Sequence, residues 1–324
     1  MNARPTLLFD PTGHYGEAGH YYTVYFASLA AGFDPETAFR NAVFAQMPDE
    51  VNALDAVQQQ ISRFSAPGGM VSWTSAERDL IQRGLHSLTG ESSTTERNVT
   101  RGALGEVTAG TMEFGFLLHR FGDAYAHSVR GDESRTYETG LGHFRHGHTP
   151  DQIHLRRELY ASYVQDLFGT LSQRAGASGH SPRLSQQQVR EFAAEVSSIR
   201  VMQTHTDFDT RSGEAIEYQT LDVEATETAQ VQRIRELSGQ LMSRSEFQES
   251  TVGPPTAEQS AQPPVGRMRT YAPEREDTMS WPEYQRTHPD FVSGSSWREV
   301  AGAVHSAASR VGQLRPSIYP LRPQ

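Results

Sequence analysis

Proline placement sets the tightest limit on what this chain can fold into. Ten of its 17 prolines fall at or after Pro254, and a proline inside a helix removes a backbone hydrogen bond and clashes with the preceding turn. Long helices therefore belong upstream. Residues 1–245 are expected to form one helical domain, and residues 246–324 a Pro-rich, largely irregular arm with one short helix from Ser295 to about Gly312. Before that boundary apolar residues recur at helical spacing, and no run alternates in the manner of a strand. Candidate helices cover roughly 17–32, 35–60, 75–88, 101–130, 151–173, 185–204 and 220–245. Asp34-Pro35-Glu36 sets an N-cap before a proline at the first helical position, a strong start signal. The expected fold class is all-α, a multi-helix bundle.

Two missing residue types narrow the chemistry. All 29 basic residues are Arg, so no Lys is available for Schiff bases, for a phosphate-binding loop or for a kinase site. With no Cys, disulfides, thiolate metal ligands and cysteine nucleophiles are excluded, and any metal must be held by His, Asp or Glu. The net charge of −10 lacks the footprint of a non-specific duplex binder. The longest mostly apolar run, Val24 to Phe33, is half of what a bilayer requires, so no membrane-spanning segment is expected. The first residues contain no apolar signal core, which gives the cytosol as the default location and signal-less secretion as the alternative.

Histidine spacing carries the functional signal. His119, Asp123 and His127 stand four residues apart on a predicted helix and so form one drifting stripe. Inward-facing imidazoles and carboxylates on a bundle helix are how bundle metal sites are built, although a partly buried, hydrogen-bonded set is the bland alternative. Further along, Gly140 to Asp151 contains His143, His146 and His148. Upstream come His20 in Gly19-His20-Tyr21-Tyr22, Asp49 in Met47-Pro48-Asp49-Glu50, and His86 in Gly84-Leu85-His86. In order, the series is His20, Asp49, His86, His119, Asp123, His127, His143, and then His148 or Asp151. Arg120, Arg130 and Arg145 lie near the motif, as phosphate contacts or as surface arginines.

This ordered series resembles the zinc-dependent phospholipase C and single-strand-specific nuclease superfamily, over about residues 10–170. Gly19-His20-Tyr21-Tyr22-Thr23, Met47-Pro48-Asp49-Glu50-Val51 and Gly140-Leu141-Gly142-His143 also look like uncharacterised bacterial relatives of it. The resemblance implies a helical fold of the phospholipase C type that holds two to three zinc ions and hydrolyses phosphoric esters. It implies a zinc pair held by Asp49, His86, His119 and Asp123, with His127 and His143 around a further ion and His20 serving the ion nearest the N-terminus. Asp49 would orient or deprotonate the attacking water. The spacing departs from the family pattern after Asp123 and after His143, so His148 and Asp151 compete for the last ligand position.

Zinc suits such a donor set when thiolate is absent, and clustered ions would let a net-acidic chain bind a phosphate anion. A phospholipid head group or small phosphodiester is the favoured substrate, with nucleic acid as the other. The alternative is a helical binding or toxin-like interaction protein with structural metal sites and a partner-docking C-terminal arm. His205-Thr206-Asp207-Phe208-Asp209 reads as a polar loop. Zincin, α/β-hydrolase and contiguous His-Asp motifs are missing.

Overall fold

A computed structural model describes residues 18–50, 54, 56, 75–139, 152–208, 215–242 and 297–314. A short π-helical segment, Ala18–Tyr22, runs directly into α1 (Thr23–Ala30). The helices that follow are α2 (Pro35–Glu50), α3 (Ser75–Gly84), α4 (Ser93–Glu106) and α5 (Met112–Ala126). After them come α6 (Arg157–Ala177), α7 (Gln186–Ser198), α8 (Val223–Gly239) and α9 (Trp297–Leu314). Two antiparallel hairpins interrupt the series, β1 (Ser128–Val129) with β2 (Asp132–Thr136), and β3 (Val201–Phe208) with β4 (Ala215–Asp222). The fold is thus mostly helical with two small sheets. No helix among the described residues is long and apolar enough to cross a membrane.

Helix α5 is the axis of the bundle. Every residue from Phe114 to Ala126 is buried, and a helix apolar nearly all round must be surrounded. Helices α2, α4, α6 and α9 pack against it. Thr111 caps its start by accepting a hydrogen bond from the Phe114 amide at 3.3 Å. Burying each of Phe114, Phe116, Leu117, Leu118 and Phe121 contributes roughly 1.5–3 kcal/mol. The α2 crossing is close because residue 115 is glycine. A Cβ there would stand 2.1 Å from the Phe44 Cβ and 2.8 Å from the Phe44 carbonyl carbon.

Three expectations need correcting. The helix expected over 101–130 is two helices, divided where Gly110 takes a positive φ of 78° and donates its amide to the Asn41 side chain at 2.8 Å. The helix boundaries near 204 and 220, and the polar loop at His205, are replaced by the β3–β4 ribbon, registered from Val201↔Asp222 to Phe208↔Ala215. Its Thr, Val, Ile and Tyr residues favour strand. Because both faces of the ribbon are largely exposed, it needs no apolar alternation, and pattern reading misses it. His205 stacks on Tyr218 across the ribbon and bonds the Thr220 hydroxyl.

The short helix expected near the C-terminus is α9. Its Val300, Val304, Ala307 and Val311 join the main core, packed on α3, α4 and α5. Residues 51–60 of the helix expected over 35–60, apart from Leu54 and Ala56, lie outside the described residues, as does all of the arm at 246–294.

Candidate metal centre

Three segments each bring one ionisable group to the middle of α5, which carries two of its own. His20 comes from the π-helical segment, where a widened turn is a frequent feature of functional sites. Asp49 comes from the last turn of α2, directly after Pro48, which leaves the Phe44 carbonyl without its intrahelical donor. His86 follows α3, in a turn closed by Ser87 at a φ of 52°, a strained conformation for a non-glycine residue. His119 and Asp123 are one turn apart on α5 itself. All five are buried, between 0 and 6 % exposed.

The imidazoles are aimed from behind. His119 Nδ1–H donates to the Ala45 carbonyl at 2.8 Å, and His86 Nε2–H donates to the Leu54 carbonyl at 2.8 Å. A carbonyl only accepts, so these bonds set both tautomers and leave His119 Nε2 and His86 Nδ1 as lone-pair nitrogens. The two face each other at 3.0 Å. Asp123 Oδ2 lies 3.1 Å from His86 Nδ1 and 3.2 Å from His119 Nε2. Asp49 Oδ1 lies 3.4 Å from the same His119 atom and 3.9 Å from the His86 atom. Four electron-rich atoms converge, and a proton or a metal cation must sit among them.

Each carboxylate also reaches the other way. Asp123 Oδ1 stands 3.0 Å from His20 Nε2, and Asp49 Oδ2 stands 3.8 Å from it. Both aspartates therefore place one oxygen with His86 and His119 and the other with His20. Within the described residues, His20–Asp49–His119 and His86–His119–Asp123 are groups whose donor atoms are close enough to hold a metal ion.

Electrostatics keep these groups ready to bind a cation. Burial pushes the His119 imidazole down to about 3, against the pull of the Asp123 carboxylate, so the ring is neutral at pH 7. Burial alone would raise Asp123, yet the His127 imidazole and the hydrogen bond from His20 hold its carboxyl well below the ordinary range. A neutral imidazole beside an ionised carboxylate is the protonation state that metal ligation requires.

The other expected residues fall into three groups. His127 caps the end of α5 and donates Nδ1–H to the His86 carbonyl at 2.8 Å, so it braces the turn that carries His86. His143, Arg145, His148 and Asp151 lie outside the described residues. Arg120 is a correction, because it is neither a phosphate contact nor a surface arginine. Its guanidinium is fully buried on the side of α5 that faces α4, ion-paired with Glu96 and bonded to the Thr100 hydroxyl.

Sequence reasoning missed the Ala45 and Leu54 carbonyls, which have no side-chain signature, and Gly122, which was visible inside His119-Arg120-Phe121-Gly122-Asp123. No protein-family model, no curated protein and no solved structure matches this chain.

Proposed function

We propose that this chain is a metal-dependent hydrolase of phosphoric esters, with zinc at the His/Asp centre and a phospholipid head group or small phosphodiester as substrate. The observation that carries the reading is the sharing of both Asp49 and Asp123 between the His86–His119 side and the His20 side. With bonds of about 2.0–2.1 Å, tetrahedral zinc donors stand roughly 3.4 Å apart. The separations of His86 and His119 from each other and from the Asp123 and Asp49 oxygens, 3.0 to 3.9 Å, support that fit. Divalent ions so placed would polarise phosphoryl oxygens and acidify a bound water.

The chain's own residues have separate tasks in this reading. His86 and His119 hold the metal in tautomers set by backbone carbonyls. Asp123, whose oxygens stand closest to the imidazoles at 3.0 to 3.2 Å, ties the two sides together. Asp49, whose oxygens stand farther from the imidazoles at 3.4 to 3.9 Å, is the group that would orient water and take its proton.

Metal content is the direct test, measured on untagged wild type and Asp123→Ala, followed by hydrolysis of phosphatidylcholine, a small phosphodiester, single-stranded DNA and RNA. Two to three zinc ions per chain, falling in the variant together with metal-dependent hydrolysis, is the expected result. Absence of metal in wild type, persisting after zinc reconstitution, would sink the reading.

The deep burial of the same side chains favours a second reading, an interaction protein whose metal is structural, because structural sites are closed by protein ligands. Cobalt-substituted protein separates the two. A visible spectrum that shifts on adding phosphate reports an open coordination position, and an unchanged spectrum supports the structural role.

A further inference from the structure

His20 enters the centre across a gap in the surface of α5. Its ring lies over Gly122, the residue before Asp123, and the absent side chain is what makes the approach possible. A Cβ at position 122 would stand 2.8 Å from His20 Cε1, closer than real Cβ contacts come, and tightly against His20 Nδ1 at 3.0 Å and the Tyr163 hydroxyl at 3.3 Å.

The ring has little room to retreat. On one side it packs on His119, with centroids 4.2 Å apart and planes inclined by 33°. Its Nε2 is held 3.0 Å from Asp123 Oδ1, and the chain behind it is committed to the π-helical turn. The three atoms nearest the missing Cβ belong to His20 and Tyr163, none to His86 or His119.

We infer that Gly122 is the positioning residue that admits His20 to the centre and thereby creates its second metal position. The inference rests on the metal-binding reading above. Ligands tolerate displacement of only about half an ångström before a site loosens, and any side chain at 122 pushes His20 by that order. The four donors on the other side, His86 Nδ1, His119 Nε2, Asp49 Oδ1 and Asp123 Oδ2, stay where they are. One half of the centre is thus conditional on a glycine, and the other is not.

Zinc titration of chelator-stripped full-length protein, with bound metal counted by mass spectrometry, tests this. Wild type is expected to bind two ions through these residues. Gly122→Ala is expected to keep the first with unchanged affinity and to bind the second roughly tenfold more weakly or worse, the scale seen when support for a ligand is removed. His20→Ala should behave the same way.

Thermal unfolding of the metal-free chains supplies a readout that survives poor folding of the single variant. Alanine normally stabilises a helix interior over glycine. Gly122→Ala should therefore raise the Tm in the His20→Ala background and lower it in wild type. Two ions with wild-type affinities in Gly122→Ala would overturn the role of Gly122 while leaving the hydrolase reading intact. A wild type that binds no zinc would overturn the hydrolase reading, and this inference with it.

Discussion

His86 and His119 meet nitrogen to nitrogen at 3.0 Å, each with its proton turned away to a backbone carbonyl. Two lone pairs facing one another at this distance repel unless a positive charge lies between them. Two carboxylate oxygens within 4 Å deepen the requirement. Several measurable consequences stem from that arrangement and from the packing around it.

Loss of a shared carboxylate should be felt on both sides of the centre. Asp123→Asn keeps the shape of the side chain but removes the charge that offsets a cation. Zinc affinity should fall by more than tenfold for each ion, as isothermal titration would register. Asp49→Asn should weaken both as well, and less steeply, because its oxygens stand farther from the imidazoles.

Acid should destabilise the metal-free fold earlier than ordinary carboxylates would. His119 titrates near 6.5 when unfolded and near 3 when folded, so below 6.5 the unfolded chain binds a proton that the folded chain refuses. Its contribution is complete above 6.5 and is lost as pH falls toward 3, by about 1.4 kcal/mol per pH unit. Urea unfolding at pH 7, 5.5 and 4 should show this slope, and His119→Gln should flatten it. A slope unchanged in His119→Gln would mean that another group is responsible.

Arg120 and Glu96 form a fully buried ion pair between α5 and α4. Removing one partner leaves the other charge uncompensated, so Arg120→Met or Glu96→Gln alone should cost about 3–5 kcal/mol. The double variant should recover much of that loss, because no buried charge remains. Guanidinium unfolding of all four proteins completes the cycle, and additive losses would show that the two residues are not coupled.

Gly115→Ala should destabilise the bundle although alanine is the better helix former. The added methyl would meet the Phe44 Cβ and backbone, which no rotamer change can move. Overpacking of this kind costs about 1–3 kcal/mol. Phe44→Ala should fail to rescue it, since the clash involves atoms that alanine retains. Rescue would mean that the ring, and not the backbone, sets the spacing of α2 and α5.

The i, i+4 stripe of α5 was legible because His119, Asp123 and His127 share one helix, and helical period projects directly onto the sequence. His20, Asp49 and His86 could be placed in order along the chain, but only packing brings them to the same point. Arg120 illustrates what spacing hides. It is one residue from His119, yet a step of about 100° round the helix turns it toward α4, where its partner Glu96 is 24 positions away. Helix boundaries failed where a side chain from another element completed them, as Asn41 does at Gly110. The β3–β4 ribbon was invisible for the opposite reason, since it buries neither face against the body and leaves Met202, Ile216 and Tyr218 half exposed.

Helix α9 closes over surfaces made by α3, α4 and α5, all of which are complete by Ala126. During synthesis, at roughly 5–20 residues per second, the roughly 170 residues that separate Ala126 from Trp297 take on the order of ten seconds or more to appear. Throughout that interval Val300, Val304, Ala307 and Val311 are missing from the core they complete on α3, α4 and α5. The core of the bundle is thus completed only by the last described helix.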